Sequence, residues 1–559
     1  MGAGMRVMGI GGRVFRPASS ALLLQWLSTQ AGLKTRPPVA ALVLALFLPL
    51  LALAACSKSG PDIAIVAGSE NQPLEPLVQE FCKSQGAKCT FKYEGSLDIG
   101  FGLKSTTDPL QADVVWPAAS IWIDVFDEGR KVKHLQSISQ SPVLLGVRKT
   151  KAEALGWTKR EVTTADILQA VKDGKLKFLM SSATQSNSGA GAYLAMLNAA
   201  VGRGEVLTEA DLADPKVRDK ARTLLSGVQR SSGSSGWLSD LFLDMDARDE
   251  QADAMWNYEV TLKEANEALV KRGSDPLWLV YPKDGVAFSD GPMGYLDRGR
   301  GSDVETFVTD LEKFLLSADA QKRIAAIGRR VGPGSGAVAT PVPEWNLDPS
   351  RVVTALRPPD PKVIFNALNL YQEALRRPSL TALCLDISGS MQGPGISQLH
   401  NAMSFLFTPA QTRNLLVQWT PDDHIVAIPF SSRAGDPQTG TGAPADQERL
   451  KQWGNDLEAD GGTDMYSCVQ EALQTMTPDL DSGKYLPAIL IMTDGRSEGD
   501  LEGFIAQWKN RGRGIPIFGV TFGDADTAQL DRLATATGGR VFDGRSSLAE
   551  AFRAARGYN

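Results

Sequence analysis

The chain repeatedly alternates an uninterrupted apolar run, a short turn rich in Gly and Ser, and an amphipathic helical pattern. This order is clear in "DIAIVAGSENQPLEPLVQEFCKS", which starts at Asp62, and in "LTALCLDISGSM", which starts at Leu380. Unbroken apolar runs are typical of strands covered on both faces, and strands that alternate with helices predict a largely parallel sheet. The sequence therefore predicts an α/β protein. At 559 residues it is too long for a single core, so we expect at least two domains.

The overall composition excludes several classes of protein. Apolar residues make up 43% of the chain and charged residues 22%, so neither global disorder nor a membrane protein with many spans is indicated. The formal net charge is -6 and no block of Lys and Arg occurs, which argues against a nucleic-acid partner.

The N-terminal segment predicts export. Two basic residues precede the apolar stretch Val39–Ala55, which ends at Cys56 and is followed by polar residues. The stretch is shorter than the roughly 20 residues of a membrane span and resembles the h-region of a signal peptide. Its end, "LAAC", is similar to the bacterial lipobox, which implies that residues 1–55 are a lipoprotein signal peptide and that Cys56 carries the lipid anchor. We expect a lipid-anchored, extracytoplasmic protein of the cell envelope, with an uncleaved anchor helix as the alternative.

Export makes disulfides possible for the cysteines other than Cys56. Cys82 ends a helical pattern and Cys89 opens the next apolar run, so a bridge across this turn is possible, and the sequence leaves its state open. Cys384 lies in a predicted buried strand and Cys468 on a predicted helix. We expect these two to be buried thiols that behave as small hydrophobic residues.

Several strand-to-helix turns in the first half carry hydroxyl or amide side chains. They place Ser69, Ser96, Ser186 and Asn187 at predicted helix starts. Free N–H groups and positive dipole ends of several helices would then meet in one crevice and suit an anion or a polar solute. The alternative is that these residues are ordinary N-caps, because Ser and Asn are favoured there for stability alone.

This first half resembles the extracellular solute-binding proteins of ABC transport systems, in particular the two-lobed class that includes molybdate- and sulfate-type receptors. The similar stretches include "YEGSLDIG", "ADVVWPAASIWID", "ATQSNSGAGAYLAML" and "LVYPKDGVAFSDGPMGYL". The resemblance implies a bilobal solute-binding domain over residues 61–345, crossings between its lobes near 142–149 and 278–286, and a small solute or oxyanion as the ligand. Residues 346–378 are then a linker and a helix.

Five oxygen-bearing side chains in the second half are expected to meet. Asp386, Ser388 and Ser390 follow one predicted strand, Thr463 lies in a glycine-rich loop, and Asp494 follows another strand. The carboxyl ends of parallel strands share one edge of a sheet, which is where ligands bind. Carboxylates and hydroxyls without sulfur or imidazole suit Mg²⁺, Mn²⁺ or Ca²⁺. Because only two acids would face a divalent ion, we expect the ion to bind a further anionic oxygen from outside.

This pattern is similar to the metal-ion-dependent adhesion site (MIDAS) of the von Willebrand factor A domain: D-x-S-x-S, a distant Thr and a distant Asp. The resemblance covers residues 379–558 and implies a doubly wound, Rossmann-like sheet. It also implies that the two serines and the threonine bind the metal directly, that the aspartates act mostly through water, and that a carboxylate of a protein partner completes the coordination. The alternative is a metal-free scaffold with capping residues.

A hydrolase is not supported by the histidines. The sequence "GRSEG" matches the G-x-S-x-G nucleophile motif, with Ser497 as the nucleophile, but in that family the base histidine follows the serine. The last of the three histidines is His424, which precedes it. We therefore expect no enzymatic activity.

Together these features predict an envelope lipoprotein with two binding modules. The first would bind a small solute, and the second would bind a divalent metal and recruit or sense a protein partner according to what the first has bound. The alternative is an ordinary solute receptor of an ABC transporter, whose C-terminal domain is only a tether. The sequence does not identify the solute, because Ser and Asn at helix ends serve oxyanions, sugars and peptides alike.

Overall fold

The structure, a computed structural model, describes residues 60–105, 110–250, 252–523, 527–545 and 548–556. The signal peptide expected at residues 1–55 and the lipidation site expected at Cys56 lie outside these residues. Across the described ranges, no helix is both long and apolar enough to cross a membrane.

The first strands and helices follow the alternation that the sequence predicts. The elements are β1 (Asp62–Gly68), α1 (Glu75–Ser84), β2 (Lys88–Glu94), α2 (Ser96–Lys104), β3 (Val114–Trp116), α3 (Ile121–Phe126) and β4 (Val132–Ser137). A 3-10 turn, Ser69–Leu74, joins β1 to α1. The predicted apolar face of α1 is confirmed, because Leu77, Val78 and Phe81 are buried against the sheet.

The chain then enters a second lobe. Its elements are β5 (Ser141–Arg148), α4 (Lys149–Ala154), α5 (Thr164–Lys172), β6 (Phe178–Ser181), α6 (Asn187–Val201), α7 (Glu209–Ala213), α8 (Pro215–Leu225), β7 (Val228–Ser232), α9 (Ser235–Ala247), β8 (Ala254–Tyr258), α10 (Glu259–Arg272), β9 (Leu277–Val280) and β10 (Phe288–Ser289). Capping boxes at Thr163 and Thr208 start α5 and α7.

The chain returns to the first lobe after β10. There it adds β11 (Pro292–Leu296), α11 (Ser302–Leu315) and α12 (Ala318–Ala326). Lobe 1 has the strand order β2-β1-β3-β11-β4, with β11 antiparallel to both neighbours. Lobe 2 has the order β10-β5-β8-β6-β7, with β9 also on β5 and with β5 antiparallel to β8. Both sheets are therefore mixed, and the two crossings between lobes lie between β4 and β5 and between β10 and β11.

A helix connects the lobes to the C-terminal domain. Helix α13 (Pro361–Leu370) is capped by Asp360 and continues into a π-helical turn, Tyr371–Leu375. Its Ile364 and Leu368 pack in one hydrophobic cluster with side chains of lobe 1, lobe 2 and the C-terminal domain. The linker helix is thus part of a three-way junction.

The C-terminal domain is built on a single sheet of six strands. Its elements are β12 (Ser379–Asp386), α14 (Pro394–Leu406), α15 (Pro409–Asn414), β13 (His424–Phe430), β14 (Gln438–Thr441), α16 (Pro444–Asn455), α17 (Met465–Asp481), β15 (Leu486–Thr493), α18 (Leu501–Arg511), β16 (Ile517–Thr521), α19 (Thr527–Thr537), β17 (Val541–Asp543) and α20 (Leu548–Arg556). The strand order is β14-β13-β12-β15-β16-β17, and all neighbours are parallel except β13 and β14.

Strand β12 is covered on both faces, as its unbroken apolar run predicts. Leu383 and Leu385 pack in one hydrophobic cluster, whereas Ala382 and Cys384 pack in another on the opposite face. The expected fold class, a two-lobed α/β region followed by a doubly wound α/β domain, is confirmed.

The four cysteines that the structure describes form two disulfides, and one of them corrects the sequence-based expectation. Cys82–Cys89 closes the turn between α1 and β2, where the sequence left the state open. Cys384 and Cys468 were expected to be free thiols, but they form a disulfide between β12 and α17. Helix α17 packs over β12 and brings the two Cα atoms to 6.0 Å, within the distance that a disulfide spans.

Candidate functional site

Four of the five predicted metal-site residues form one hydrogen-bonded run at the carboxyl edge of the C-terminal sheet. Asp386 ends β12, and Asp494 directly follows the neighbouring strand β15. The Ser388 amide donates to Asp386 Oδ1 at 2.8 Å, and the Ser388 and Ser390 hydroxyl oxygens lie 3.1 Å apart. Ser390 Oγ donates to Asp494 Oδ1 at 2.9 Å. The two strand ends thus bring two carboxylates and two hydroxyls together.

The loop with Thr463 lies against the same turn. The Gly389 amide donates to the Gly461 carbonyl at 2.9 Å, and Gly461 has a φ of 92°, a backbone conformation that favours glycine. The Thr463 carbonyl accepts hydrogen bonds from Glu498 N at 2.8 Å and Ser497 Oγ at 3.2 Å. Within the described part of the chain, the Thr463 side chain makes no hydrogen bond to the other four residues, and the hydrogen bonds that hold the loop here go to its backbone.

The electrostatics of this edge favour a cation. Asp386 is fully buried, and its burial raises the pKa of its carboxyl group, with a further rise from the nearby Asp494 carboxylate. The sequence analysis missed Thr493, whose hydroxyl donates to Asp386 Oδ2 at 2.5 Å and orients the carboxylate. A Cβ atom at Gly495 would lie 3.5 Å from Ser390 Oγ, an ordinary contact distance.

The donor set fits a hard divalent cation only if the hydroxyls take part. Among the described residues, no three His, Cys, Asp or Glu side chains form a group that could hold a metal. A metal at the Asp386–Asp494 edge would therefore bind serine and threonine oxygens together with carboxylates, as Mg²⁺, Mn²⁺ and Ca²⁺ accept.

Two of the four candidate solute contacts bridge the lobes. Ser69 of lobe 1 accepts a hydrogen bond from the Gly236 amide of lobe 2 at 3.0 Å. Asn187 of lobe 2 accepts from Trp122 Nε1 of lobe 1 at 2.8 Å and donates to the Tyr258 hydroxyl at 3.0 Å. These contacts place both residues at the crevice between the lobes.

The other two candidates bond within their own lobes. Ser96 Oγ accepts from the Ala118 amide at 2.9 Å, and Ser186 Oγ lies 3.1 Å from Ser188 Oγ. Ser186 is the N-cap residue of α6, but its side chain makes no capping bond. All four candidates are buried. The alternative of ordinary N-caps therefore does not describe Ser186.

The crevice also holds two buried ionisable side chains, Glu70 and Arg329, that the sequence analysis missed. Glu70 lies beside Ser69, and its carboxylate accepts from the Ser235 hydroxyl of lobe 2 at 3.1 Å. Arg329 donates to the Glu70 carbonyl and to Asn71 Oδ1. Burial raises the pKa of Glu70 and lowers that of Arg329. Only the position of Glu70 directly after Ser69 could have indicated it from the sequence.

Two family descriptions match successive parts of the chain. "Bacterial extracellular solute-binding protein" matches residues 63–330, and "von Willebrand factor type A domain" (VWA) matches residues 382–553. The chain is a solute-binding protein domain followed by a VWA domain. Both are typically non-catalytic binding domains, and VWA domains often bind a divalent metal at a MIDAS. The solute-binding family and the two disulfides indicate an extracytoplasmic location.

Three solved structures are similar to parts of this chain. The periplasmic binding protein AfuA from Actinobacillus pleuropneumoniae, with exogenous fructose-6-phosphate bound, is 18% identical over 52% of this chain and 91% of that chain, with a TM-score of 0.37. The Trichodesmium protein IdiA (FutA), in complex with iron and citrate ligands, is 13% identical over 56% of this chain and 98% of that chain, with a TM-score of 0.38. A von Willebrand factor type A protein from Catenulispora acidiphila is 19% identical over 33% of this chain and 43% of that chain, with a TM-score of 0.28. No curated protein matches the chain.

Ser497 of the VWA domain hydrogen-bonds the backbone of the loop that leads into α17. Its hydroxyl accepts from the Met465 amide at 3.0 Å and donates to the Thr463 carbonyl at 3.2 Å, and the residue is buried. The nearest histidine in sequence, His424, instead contacts Asp479 at 2.9 Å. The geometry gives Ser497 a structural task beside the Thr463 loop.

Proposed function

We propose that the VWA domain binds a divalent cation, Mg²⁺ or alternatively Mn²⁺ or Ca²⁺, and that the solute-binding domain takes a small polar solute between its lobes. The metal ligands would be Asp386, Ser388, Ser390, Thr463 and Asp494. The observation that carries this proposal is the hydrogen-bonded run from Asp386 to Asp494 at the carboxyl edge of the sheet.

The exposure of these residues favours a docking role for the metal. Asp386 and Ser388 are buried, whereas Ser390 is exposed and Asp494 half-buried. A cation held here would be reached from outside over the Ser390 side. Two carboxylates only just neutralise the charge of a divalent ion. The ion would therefore attract a further carboxylate from a protein partner.

For the solute we propose contacts with Ser69, Ser96, Ser186 and Asn187. All four are buried at or beside the lobe junction, where hydroxyl and amide groups could hydrogen-bond a polar solute. We further propose that Cys56 carries a lipid that anchors the protein to the envelope membrane, which rests on the "LAAC" sequence.

Thermal unfolding of the soluble chain that starts after Cys56 tests the metal site. We expect Mg²⁺ to raise the unfolding temperature of the wild type relative to EDTA, since a ligand at 100 times its Kd adds about 2.7 kcal/mol. Asp386→Ala should remove this shift. The matched control is Asp481→Ala, an exposed acid of the same domain, which should keep it. An equal Mg²⁺ shift in wild type and Asp386→Ala would contradict the proposed ligands.

Partner capture then separates recruitment from simple tethering. If the metal docks a partner carboxylate, capture by the immobilised chain should be lost in EDTA and with Asp386→Ala, and retained with Asp481→Ala. Capture that is insensitive to both treatments would leave the C-terminal domain as a tether of a transport receptor.

A further inference from the structure

The last helix of the VWA domain inserts an arginine between the two lobes of the solute-binding domain. Arg553 lies on α20 and is only 3% exposed. Its guanidinium forms an ion pair with Asp98 of lobe 1 and lies 4.1 Å above the ring of Phe101 of the same lobe. It also donates to the Thr184 carbonyl of lobe 2 at 2.6 Å. One side chain of the VWA domain therefore contacts both lobes.

The contact is reciprocal and adjoins the candidate solute residues. The Gln185 side-chain amide donates to the carbonyls of Arg553 and Ala554. The Gln185 carbonyl accepts from the Leu97 amide of lobe 1 at 3.0 Å. Gln185 directly precedes Ser186 and Asn187, and Leu97 directly follows Ser96. The segments that hold Arg553 are thus the segments that carry three of the four proposed solute contacts.

A second contact between the lobes and the VWA domain lies in the first turn of α9. There the Gly236 amide binds Ser69 of lobe 1, while the adjacent Trp237 packs against the VWA core under the Arg540 guanidinium, 3.7 Å from the ring centre. The lobe junction and the VWA surface therefore meet at α9 as well as at α20.

The energetics make Arg553 sensitive to the separation of the lobes. Burial lowers the pKa of Arg553 to about 9, because a guanidinium taken out of water loses its hydration. Lobe opening would move Asp98 away from Thr184. The Arg553 guanidinium would then lose either its ion pair with Asp98 or its hydrogen bond to the Thr184 carbonyl. Two-lobed binding proteins close around their ligands by hinge motion, so a closed pair of lobes is the state that a solute also favours.

We propose that Arg553 is an internal latch that holds the lobes closed while α20 is seated, so that solute binding and seating of the VWA helix stabilise one another. The link to solute binding rests on the proposed function, whereas the claim that Arg553 holds the lobes closed does not. A side chain that favours one of two lobe arrangements couples the two domains through its differential contacts, and the coupling is reciprocal.

Pulsed EPR on the whole chain without solute tests the latch. Spin labels at Lys322→Cys on α12 of lobe 1 and Lys216→Cys on α8 of lobe 2 report the lobe separation, and both positions are exposed. We expect one distance population in the wild type and a second, longer one in Arg553→Gln. The matched control is Arg532→Gln, an exposed arginine of the same domain paired with Glu502, which should keep the wild-type distance. An unchanged distance in Arg553→Gln would overturn the latch.

A second variant guards against a folding defect. Asp98→Asn removes the ion pair from the lobe 1 side without altering the VWA domain, and it should also produce the longer distance. If Arg553→Gln does not fold, a wild-type distance in Asp98→Asn overturns the proposal by itself. Failure of solute binding would appear separately: no added solute would change the distance in any variant, while the solute-free difference between wild type and Arg553→Gln would remain.

Discussion

At the scale of single residues, a buried carboxylate with two arginine neighbours lies at the edge of the VWA sheet opposite to the proposed metal site. Asp423 is fully buried and accepts from Arg376 of the linker at 2.5 Å and from the Ser379 amide at 2.7 Å, with Arg556 of α20 at 3.8 Å. The carboxylate thereby ties the linker to the start of β12 and to the last helix. No local motif marks this role, because "PDDH" predicts only the turn before β13.

We expect Asp423→Asn to destabilise the protein by about 3–5 kcal/mol, because two guanidinium groups would remain buried without their charged partner. Equilibrium unfolding in urea at neutral pH measures the loss. The matched control is the neighbouring Asp422→Asn, whose side chain is 78% exposed and which should change stability by no more than about 0.5 kcal/mol. Equal effects of the two variants would contradict the role of Asp423.

The same carboxylate predicts an acid dependence. Burial alone would raise the pKa of Asp423, but the Arg376 guanidinium and its hydrogen bonds outweigh burial and hold the pKa well below its usual range. The folded-state pKa is thus lower than the unfolded value of about 3.9. The stabilisation is therefore fully present above about pH 4 and is lost as the pH falls below it. Wild type should lose stability more steeply than Asp423→Asn in this acid range, and parallel pH profiles would contradict the assignment.

At the scale of elements, the sequence predicts those strands and helices whose burial pattern is strong. The sequence "HIVAIPF" predicts a strand by its apolar residues, and β13 spans it from His424 to Phe430. Strand β14 was not predicted, since it is a short edge strand of Gln, Thr and Gly without a fully buried residue. Four of the five metal-site residues meet as predicted, because parallel strands end at one edge. The contact of Arg553 with the lobes could not be predicted, because helical periodicity indicates which face of a helix is buried but not which distant residues it contacts.

The disulfide between β12 and α17 should stabilise the VWA domain more than Cys82–Cys89 stabilises lobe 1. In the chain-entropy model the gain grows with the length of the closed loop, and the separations are 84 and 7 residues. Replacing Cys384 and Cys468 by Ala should cost about 4–5 kcal/mol, against roughly 2–3 kcal/mol for the pair Cys82 and Cys89. Urea unfolding of the two double variants makes the comparison. A larger loss for the Cys82 and Cys89 variant would show that native packing, and not loop closure, sets the order.

At the scale of the whole molecule, the described residues from Gly60 onward form one compact unit, although they contain three sheets. Trp237 lies where lobe 2 packs on the VWA core, and α13 packs against both lobes and the VWA domain. Contacts of this kind transmit a stability change from one domain to another only if the domains unfold together. We therefore expect calorimetry of the soluble chain to show one transition that Mg²⁺ raises as a whole.

Trp237→Ala should divide that transition in two, of which Mg²⁺ raises only one, because the substitution removes the ring between α9 and the VWA core but no metal ligand. The control is Trp345→Ala, since Trp345 packs against the core of lobe 2 and not against the VWA domain. It should lower the unfolding temperature while leaving a single transition. Two transitions in the wild type would mean that the interface is too weak for the lobes and the VWA domain to unfold together.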